Sequence, residues 1–517
     1  MAQDEPLVES VVTRGAIEHH EIPVGKRAVS GALFLTASTY AGILLGIVAR
    51  KILSIILTPE EFGQIATALS FVDLIFAFGA FSFSSAIINA RDNLLERPLA
   101  HLRENIYILT AGVGVFATIV SIIAAWLFPP ELAPQLFVAL VGIYAVQRCV
   151  TSFDTFFSQI LERELDYKRI SIISFIVNVL LHVASVGLAL AGFTSYSIPV
   201  ATLLSSFISL YLHRAYLRKR QGPVVDSKPW QLYDKATMKW LWAFGGAVML
   251  NRLFESWLYR IDNLIVFKLM NYAALGFYSQ AFMIAQMAST ALAPIVARVS
   301  IATYAEVQHD RRRLEEAFAV TNFFLVRILV PAALFFLVCA PDLVRLFLST
   351  NWYRSAEPLA AMAGFVLFSP LFENGKMLLG ARLKLKEISF VRIAQLLSLI
   401  GMLLLFGSEG LWAIGLAVSI VTLMGYGLLL MYVGREVGLR TNEVFVYPLA
   451  MAMLLVIPLL FADRALAATL TPGENIETAI ARIAMYVVAL PLVTLGLEWL
   501  VARERLKRYI AAVRSRM

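Results

Sequence analysis

The chain has 517 residues, 59% of them hydrophobic and only 15% charged, with a formal net charge of +8. Soluble domains carry about 25% charged residues, and none buries this proportion of apolar side chain, so a soluble fold is excluded. The positive excess sits in loops between apolar stretches, where anionic lipid headgroups are its natural partner, which argues against nucleic acid.

Residues 1–28 form a polar tail with Asp4, Glu5, Glu9, Glu18 and Glu21, so no secretory signal peptide is expected there. Within it, Glu18-His19-His20-Glu21 reads as tail sequence, not as a metal site. Fourteen apolar stretches follow, at 29–56, 62–89, 104–128, 132–160, 169–192, 194–216, 238–268, 272–299, 316–348, 355–381, 387–407, 410–434, 443–463 and 476–500. Each is long enough for a spanning helix, which needs roughly 20 apolar residues. The expected fold is an all-α integral membrane protein. Cys149 and Cys339, the two cysteines, lie inside apolar stretches and form no disulfide framework.

Basic residues concentrate in every second gap. The rich gaps hold Arg91/Arg97/Arg103, Arg163/Lys168/Arg169, Arg214 to Lys239, Arg311/Arg312/Arg313, Arg382/Lys384/Lys386 and Arg435/Arg440. The gaps between them hold Arg50/Lys51, Lys268, Arg345/Arg354, Arg464, or no basic residue. Basic loops stay cytoplasmic during insertion. The pattern predicts an even-span, multi-pass membrane protein with both termini in the cytoplasm.

The longest polar segment, 217–237, divides two similar halves, 29–216 and 238–434. Span one ends in Leu57-Thr58-Pro59-Glu60-Glu61-Phe62-Gly63-Gln64, and span seven in Met270-Asn271-Tyr272-Ala273-Ala274-Leu275-Gly276-Phe277. Both are a long helix, a short turn, a glycine and another helix in the same membrane orientation. This predicts two six-helix lobes in a pseudo-two-fold arrangement. Residues 443–500 add helices 13 and 14, and 501–517 form a basic tail. Prolines 199, 294, 331, 370, 448 and 491 fall in the spans, either as bending hinges or as fixed kinks.

A charge near the bilayer centre costs roughly 2.5–3.5 kcal/mol and persists only beside water or a partner. Such positions are Asp73 in span two, Arg148 in span four, His182 in span five, Arg252 and Glu255 in span seven, and Arg327 in span nine. Arg50 and Arg260 lie off-centre. On a continuous helix, Arg252, Glu255, Tyr259, Arg260 and Asp262 share one wide polar stripe about 15 Å long. The stripe offers cations to an anionic ligand, or forms an internal Arg252–Glu255 pair. Arg148 likewise faces a ligand or pairs with Asp73 across helices. His182, alone on an apolar helix, reads as a packing histidine. Lys376 and Arg392 lie toward the cytoplasmic ends and read as snorkelling side chains.

The chain lacks GxxxxGK[ST], HExxH, paired-cysteine and GxSxG patterns. No catalytic residue, metal ligand or cofactor is expected, and the protein is not expected to be an enzyme.

The segment Arg260-Ile-Asp262-Asn263 through Lys268, with Ala274-Leu-Gly276-Phe-Tyr278-Ser279, resembles the second-half signature of Wzx-type polysaccharide flippases. These belong to the multidrug/oligosaccharidyl-lipid/polysaccharide exporter superfamily. Leu57 to Gly63, and Leu161-Glu162-Arg163-Glu164-Leu165-Asp166-Tyr167 after span four, are similar to the family's first half. A departure is Phe277 where the family commonly has Tyr; Tyr278 keeps an aromatic hydroxyl next to it. The resemblance implies two lobes around a cationic cavity that moves an oligosaccharide on undecaprenyl pyrophosphate from the cytoplasmic to the outer leaflet. It also implies membrane lipid as a partner, together with a polysaccharide polymerase and chain-length or export machinery.

On that reading Arg148, Arg252, Arg260, Arg50 and Arg327 contact the headgroup. Asp73, Glu255, Tyr259 and Asp262 tune the cavity or carry a coupling cation. The rival readings are an ion-coupled multidrug exporter or a lipid II flippase on the same fold, and a membrane polysaccharide polymerase or ligase.

Overall fold

The computed structural model describes residues 24–79, 99–131, 133–221, 235–307, 310–437, 447–467, 471–472 and 475–514, and among them every regular element is a helix. The acidic tail with Glu18–Glu21 and most of the 217–237 linker lie outside the described residues. The first half comprises α1 (Val24–Ile56), α2 (Pro59–Gly79), α3 (Leu99–Leu127), α4 (Pro134–Arg163), α5 (Tyr167–Leu190) and α6 (Ser197–Gln221). The second comprises α7 (Lys235–Leu258), α8 (Ile261–Leu269), α9 (Tyr272–Val307), α10 (Arg311–Val338), α11 (Ala340–Phe347), α12 (Ala356–Ala361), α13 (Ala363–Ala381), α14 (Leu385–Phe406) and α15 (Leu411–Val437). Helices α16 (Tyr447–Ala467) and α17 (Ile476–Arg514) follow, and the expected basic tail is largely a continuation of α17.

Ten helices of the described residues are long and apolar enough to cross a membrane, or eleven if α12 and α13, bent by 52°, form one span. The other three of the fourteen expected ranges fall on α7 with α8, on α9 and on α16. Breaks fall at Tyr259–Arg260, Cys339 and Met362, whereas Pro331, Pro370 and Pro491 stay inside unbroken helices. The break at Tyr259–Arg260 corrects the expectation of a continuous seventh span. Glu255 before the break, and Arg260 and Asp262 at and after it, point in three different directions.

Local sequence explains several helix starts. At α2, Thr58 and Glu61 cap each other: the Thr58 N–H donates to Glu61 Oε2 at 2.7 Å and the Glu61 N–H to Thr58 Oγ1 at 3.3 Å. At α5, Asp166 caps the Arg169 N–H and also accepts from Tyr216 Oη at 2.9 Å, tying the start of α5 to α6. At the α13–α14 turn, outside the spans, Lys384 reaches Glu436 at 2.9 Å, and that hydrogen bond holds its ammonium above the usual range.

Within the first half α1 lies along α5, and α4 packs on α2, α3 and α6; within the second, α13 sits against α9, α10 and α15. The His182 ring on α5 faces Gly46 of α1, as a packing histidine would. Helix α2 joins the halves: it runs along α9 and touches α7 and α8. The largest apolar core fills the second half, with Trp352, Tyr278, Phe372 and Tyr426 fully buried. Helices α16 and α17 dock on α10 and α11.

Candidate functional site

A cavity of ≈ 390 Å³ lies where α1, α2, α4 and α6 of the first half meet α8 and α9 of the second. Its wall carries Arg50, Arg148 and Arg260, the neutral polar groups Tyr144, Gln147, Thr202, Tyr259, Asn263, Ser279, Gln280 and Gln286, and apolar side chains from Phe62 to Leu69. The volume is in the ordinary range of small-molecule sites, roughly 300–1,000 Å³.

One arginine is held by an amide and the other two by a shared carboxylate. Arg50 Nη1 donates to Gln280 Oε1 at 2.7 Å, crossing from α1 to α9. Arg148 Nε donates to Asp73 Oδ1 at 2.6 Å. Arg260 reaches the second oxygen of the same carboxylate, Nε to Oδ2 at 2.9 Å, from the break between α7 and α8. Loss of helical geometry at Tyr259–Arg260 is what turns Arg260 toward α2. Beside them, Gln147 Nε2 donates to Thr151 Oγ1 at 2.9 Å and to Ser206 Oγ at 3.0 Å. Three guanidiniums stand against one carboxylate, so the cavity is cationic.

The end of the cavity next to the α1–α2 turn is sealed. Ser349 Oγ and Trp352 Nε1 both donate to the Ser54 carbonyl, at 2.6 and 2.9 Å. Lys51 donates to the carbonyls of Arg345, at 2.6 Å, and Leu348. Phe62 and Phe277 pack edge-on against the buried Trp352 ring, with centroids at 5.1 and 5.8 Å.

Of the nine sequence-predicted site residues, Arg50, Arg148, Arg260 and Tyr259 line this cavity and Asp73 stands behind it. Glu255 does not pair with Arg252. It accepts from Lys376 Nζ at 3.0 Å and Arg392 Nη2 at 3.2 Å, and the same two cations hold Glu373. Arg392 is 3% exposed, so it is a buried member of an ion quartet and not a snorkelling side chain. Arg252 is exposed, and Arg327 bonds back to the Phe323 carbonyl of its own helix; neither lines the cavity. Asp262 is buried in the second half, accepting from Tyr278 Oη at 2.5 Å and from the Asn263 N–H at 2.8 Å. It borders a separate space of ≈ 30 Å³ with Tyr259, Arg392 and Gln395.

Sequence reasoning missed Gln280, whose neutral side chain carries no signal of its own. It also missed half-buried Asp154 with the buried Ser209 and His213, linked at 2.7 and 2.8 Å. Among the described residues no group of three His, Cys, Asp or Glu side chains is placed to hold a metal ion.

The sequence model of the family described as "Polysaccharide biosynthesis protein" matches residues 52–357. The teichuronic acid biosynthesis protein TuaB of Bacillus subtilis (strain 168) is 23% identical over 362 residues, covering 69% of this chain and 72% of that protein. The succinoglycan biosynthesis transport protein ExoT of Rhizobium meliloti (strain 1021) is 23% identical over 322 residues, 62% of each chain. In three dimensions the chain is similar to the lipid II flippase MurJ in an inward closed conformation, with a TM-score of 0.66, 14% identity, and 90% of this chain and 98% of that one covered. It is also similar to an inward-facing multidrug resistance MATE family transporter of the MOP superfamily, with a TM-score of 0.63, 17% identity, and 76% and 95% covered. At these identities the structural likeness is one of fold.

Proposed function

Since this chain belongs to the family of polysaccharide biosynthesis proteins, we propose that it moves an oligosaccharide carried on undecaprenyl pyrophosphate from the cytoplasmic to the outer leaflet of a bacterial inner membrane. The observation that carries the reading is the cavity between the halves, with Arg50, Arg148 and Arg260 on its wall among neutral amides and hydroxyls. A pyrophosphate is multiply charged and rich in acceptor oxygens, which guanidinium forks bind by paired, charge-assisted hydrogen bonds. Amides and hydroxyls suit sugar hydroxyls.

The proposed cycle is alternating access by two lobes, 29–216 and 238–434, with both termini in the cytoplasm. In that orientation the Ser54–Ser349 and Ser54–Trp352 contacts lie on the outer side, which supports reading this form as one shut to the outside. The headgroup enters the cationic cavity from the cytoplasmic leaflet while the polyprenyl tail stays in lipid. Rocking of the lobes then opens the opposite end. Polymerase and chain-length or export machinery would take the unit on the far side.

The test is leaflet translocation of an undecaprenyl-pyrophosphate oligosaccharide in proteoliposomes. Wild type is expected to move it, and Arg148→Ala and Arg260→Ala to lose movement while inserting normally. Proton- or sodium-driven export of organic cations without lipid movement overturns the reading in favour of a small-molecule exporter. Chain extension of the oligosaccharide would favour a polymerase.

A further inference from the structure

Asp73 stands among the arginines that the proposed transport uses, and the proposed cycle assigns it no step. Asp73 is 8% exposed, and its carboxylate is shared between two guanidiniums, one from each half of the molecule. Oδ1 takes Arg148 Nε at 2.6 Å and Oδ2 takes Arg260 Nε at 2.9 Å.

Two observations define what this carboxylate does. First, it belongs to a seam. Ser70 Oγ accepts from Asn263 Nδ2 at 2.8 Å, and the Leu74 carbonyl accepts from Trp257 Nε1 at 3.1 Å. Residues 70, 73 and 74 share one face of α2, and their partners 257, 260 and 263 straddle the break between α7 and α8. Asp73–Arg260 is the charged link of that seam, and Arg260 and Asn263 also line the cavity.

Second, both arginines meet Asp73 through Nε, and their side chains remain 30% and 34% exposed on the cavity wall. A single carboxylate cannot fill two guanidinium forks. A diphosphate, with more charge and more acceptor oxygens, can engage the terminal N–H groups of both. In a low-dielectric wall two guanidiniums without an anion are costly, so the empty protein needs an internal one.

We infer that Asp73 is an exchangeable internal counter-anion: in the empty protein it neutralises Arg148 and Arg260 and pins α2 to the α7–α8 break, and the diphosphate of the lipid-linked substrate displaces it from Arg260. This rests on reading the cavity as a diphosphate site. Once the diphosphate is in place, Asp73 is repelled by it and the seam loses its charged link. Separation of the halves along α2 is then conditional on cargo, which prevents idle cycling.

The test is calorimetric binding of inorganic pyrophosphate and of farnesyl pyrophosphate to the full-length protein in detergent. Asp73→Asn is expected to bind about 5- to 150-fold more tightly than wild type, the usual span of coupling between sites, and Asp73→Glu to stay near wild type. An effect with the farnesyl compound alone also supports the inference and assigns the lipid-linked source. Unchanged or weaker binding by Asp73→Asn overturns the inference and leaves the diphosphate cavity standing. Failure of every variant to bind either probe overturns both.

Asp73→Asn removes a buried counter-charge and can compromise folding, so a second measurement keeps Asp73. Ser70→Cys and Asn263→Cys, in a Cys149→Ala/Cys339→Ala background, are joined by a short bis-thiosulfonate linker. Pyrophosphate is expected to slow that cross-link several-fold. An unchanged rate at saturating pyrophosphate overturns the inference.

Discussion

Gly63 lies so close to the Tyr272 main chain that a β-carbon at position 63 would stand 1.8 Å from the Tyr272 carbonyl oxygen. The contact is reciprocated: a β-carbon at Gly276 would stand 1.9 Å from the Pro59 carbonyl oxygen. The two glycines occupy matching places in the repeated turns, each near the start of a helix, and together let α2 and α9 cross backbone to backbone. Small residues permit such approaches between membrane helices. The clasp sits beside the Ser54–Trp352 seal and holds the two halves together at that end.

Gly63→Ala and Gly276→Ala are therefore expected to weaken the sealed form. Over-packing costs about 1–3 kcal/mol, and the opposing atoms are backbone that cannot rotate away. With Ser279→Cys as a reporter on the cavity wall, labelling by a membrane-impermeant thiol reagent from the α1–α2 side should rise by about an order of magnitude. Unchanged labelling and an unchanged melting temperature would mean the backbone yields freely and the clasp is not a constraint.

The Tyr278 hydroxyl donates to the buried Asp262 carboxylate at 2.5 Å. Tyr278→Phe leaves that oxygen without its donor in an apolar surrounding, at a cost of about 1–3 kcal/mol. A drop of several degrees in the melting temperature is expected, with Asp262→Asn giving a smaller one because the amide needs less compensation. Equal melting of Tyr278→Phe and wild type would contradict this role.

That pair shows how far the sequence was legible. The motif around Asp262 and Tyr278 could be read, and the family match extends across it. The departure at Phe277 also has an account, because Phe277 packs against Trp352 while Tyr278 keeps the hydroxyl. Spans and midplane charges were visible because charge in lipid is costly. Partners were not. Helical periodicity put Arg252, Glu255, Arg260 and Asp262 on one stripe, but Glu255 reaches α13 and α14 from within α7, and beyond the break at Tyr259–Arg260 Arg260 turns to α2 and Asp262 into the second half. Pairing across helices depends on which faces meet, and one helix's spacing does not encode that. Depth alone also misplaced Lys376 and Arg392, which are anchored by Glu255 and Glu373 and not by lipid headgroups.

Glu255 and Arg252, three residues apart, should consequently behave differently. Glu255→Ala leaves Lys376 and Arg392 sharing Glu373 alone, and removal of one member of a buried ion cluster costs about 3–5 kcal/mol. Part of that is lost to screening, because the Glu255 side chain is 37% exposed. Arg252→Ala removes an exposed group that lines no part of the cavity, and should leave the melting temperature unchanged and lipid translocation within about twofold of wild type. A severe transport defect in Arg252→Ala with intact stability would restore Arg252 to the headgroup site.

Arg482 binds α17 to the second half through a charge cluster shielded from lipid. Its Nε donates to Asp342 Oδ2 at 2.9 Å, both side chains being 0% exposed, and a terminal nitrogen donates to Asp463 of α16. Tyr486 Oη adds a bond to Asp463 at 2.9 Å. One arginine thus ties α11, α16 and α17 together, which is how an ionised group persists in these otherwise apolar helices. Arg482→Ala leaves two carboxylates facing each other without a cation and should cost about 3–5 kcal/mol. The expected outcome is a lower melting temperature and faster proteolysis beyond residue 437. The triple variant Arg482→Leu/Asp342→Leu/Asp463→Leu should recover much of the loss, since apolar replacement of a whole buried cluster is often neutral or stabilising. If the triple variant melts no higher than Arg482→Ala, the cluster does more than cancel its own charges, and its geometry is required for docking.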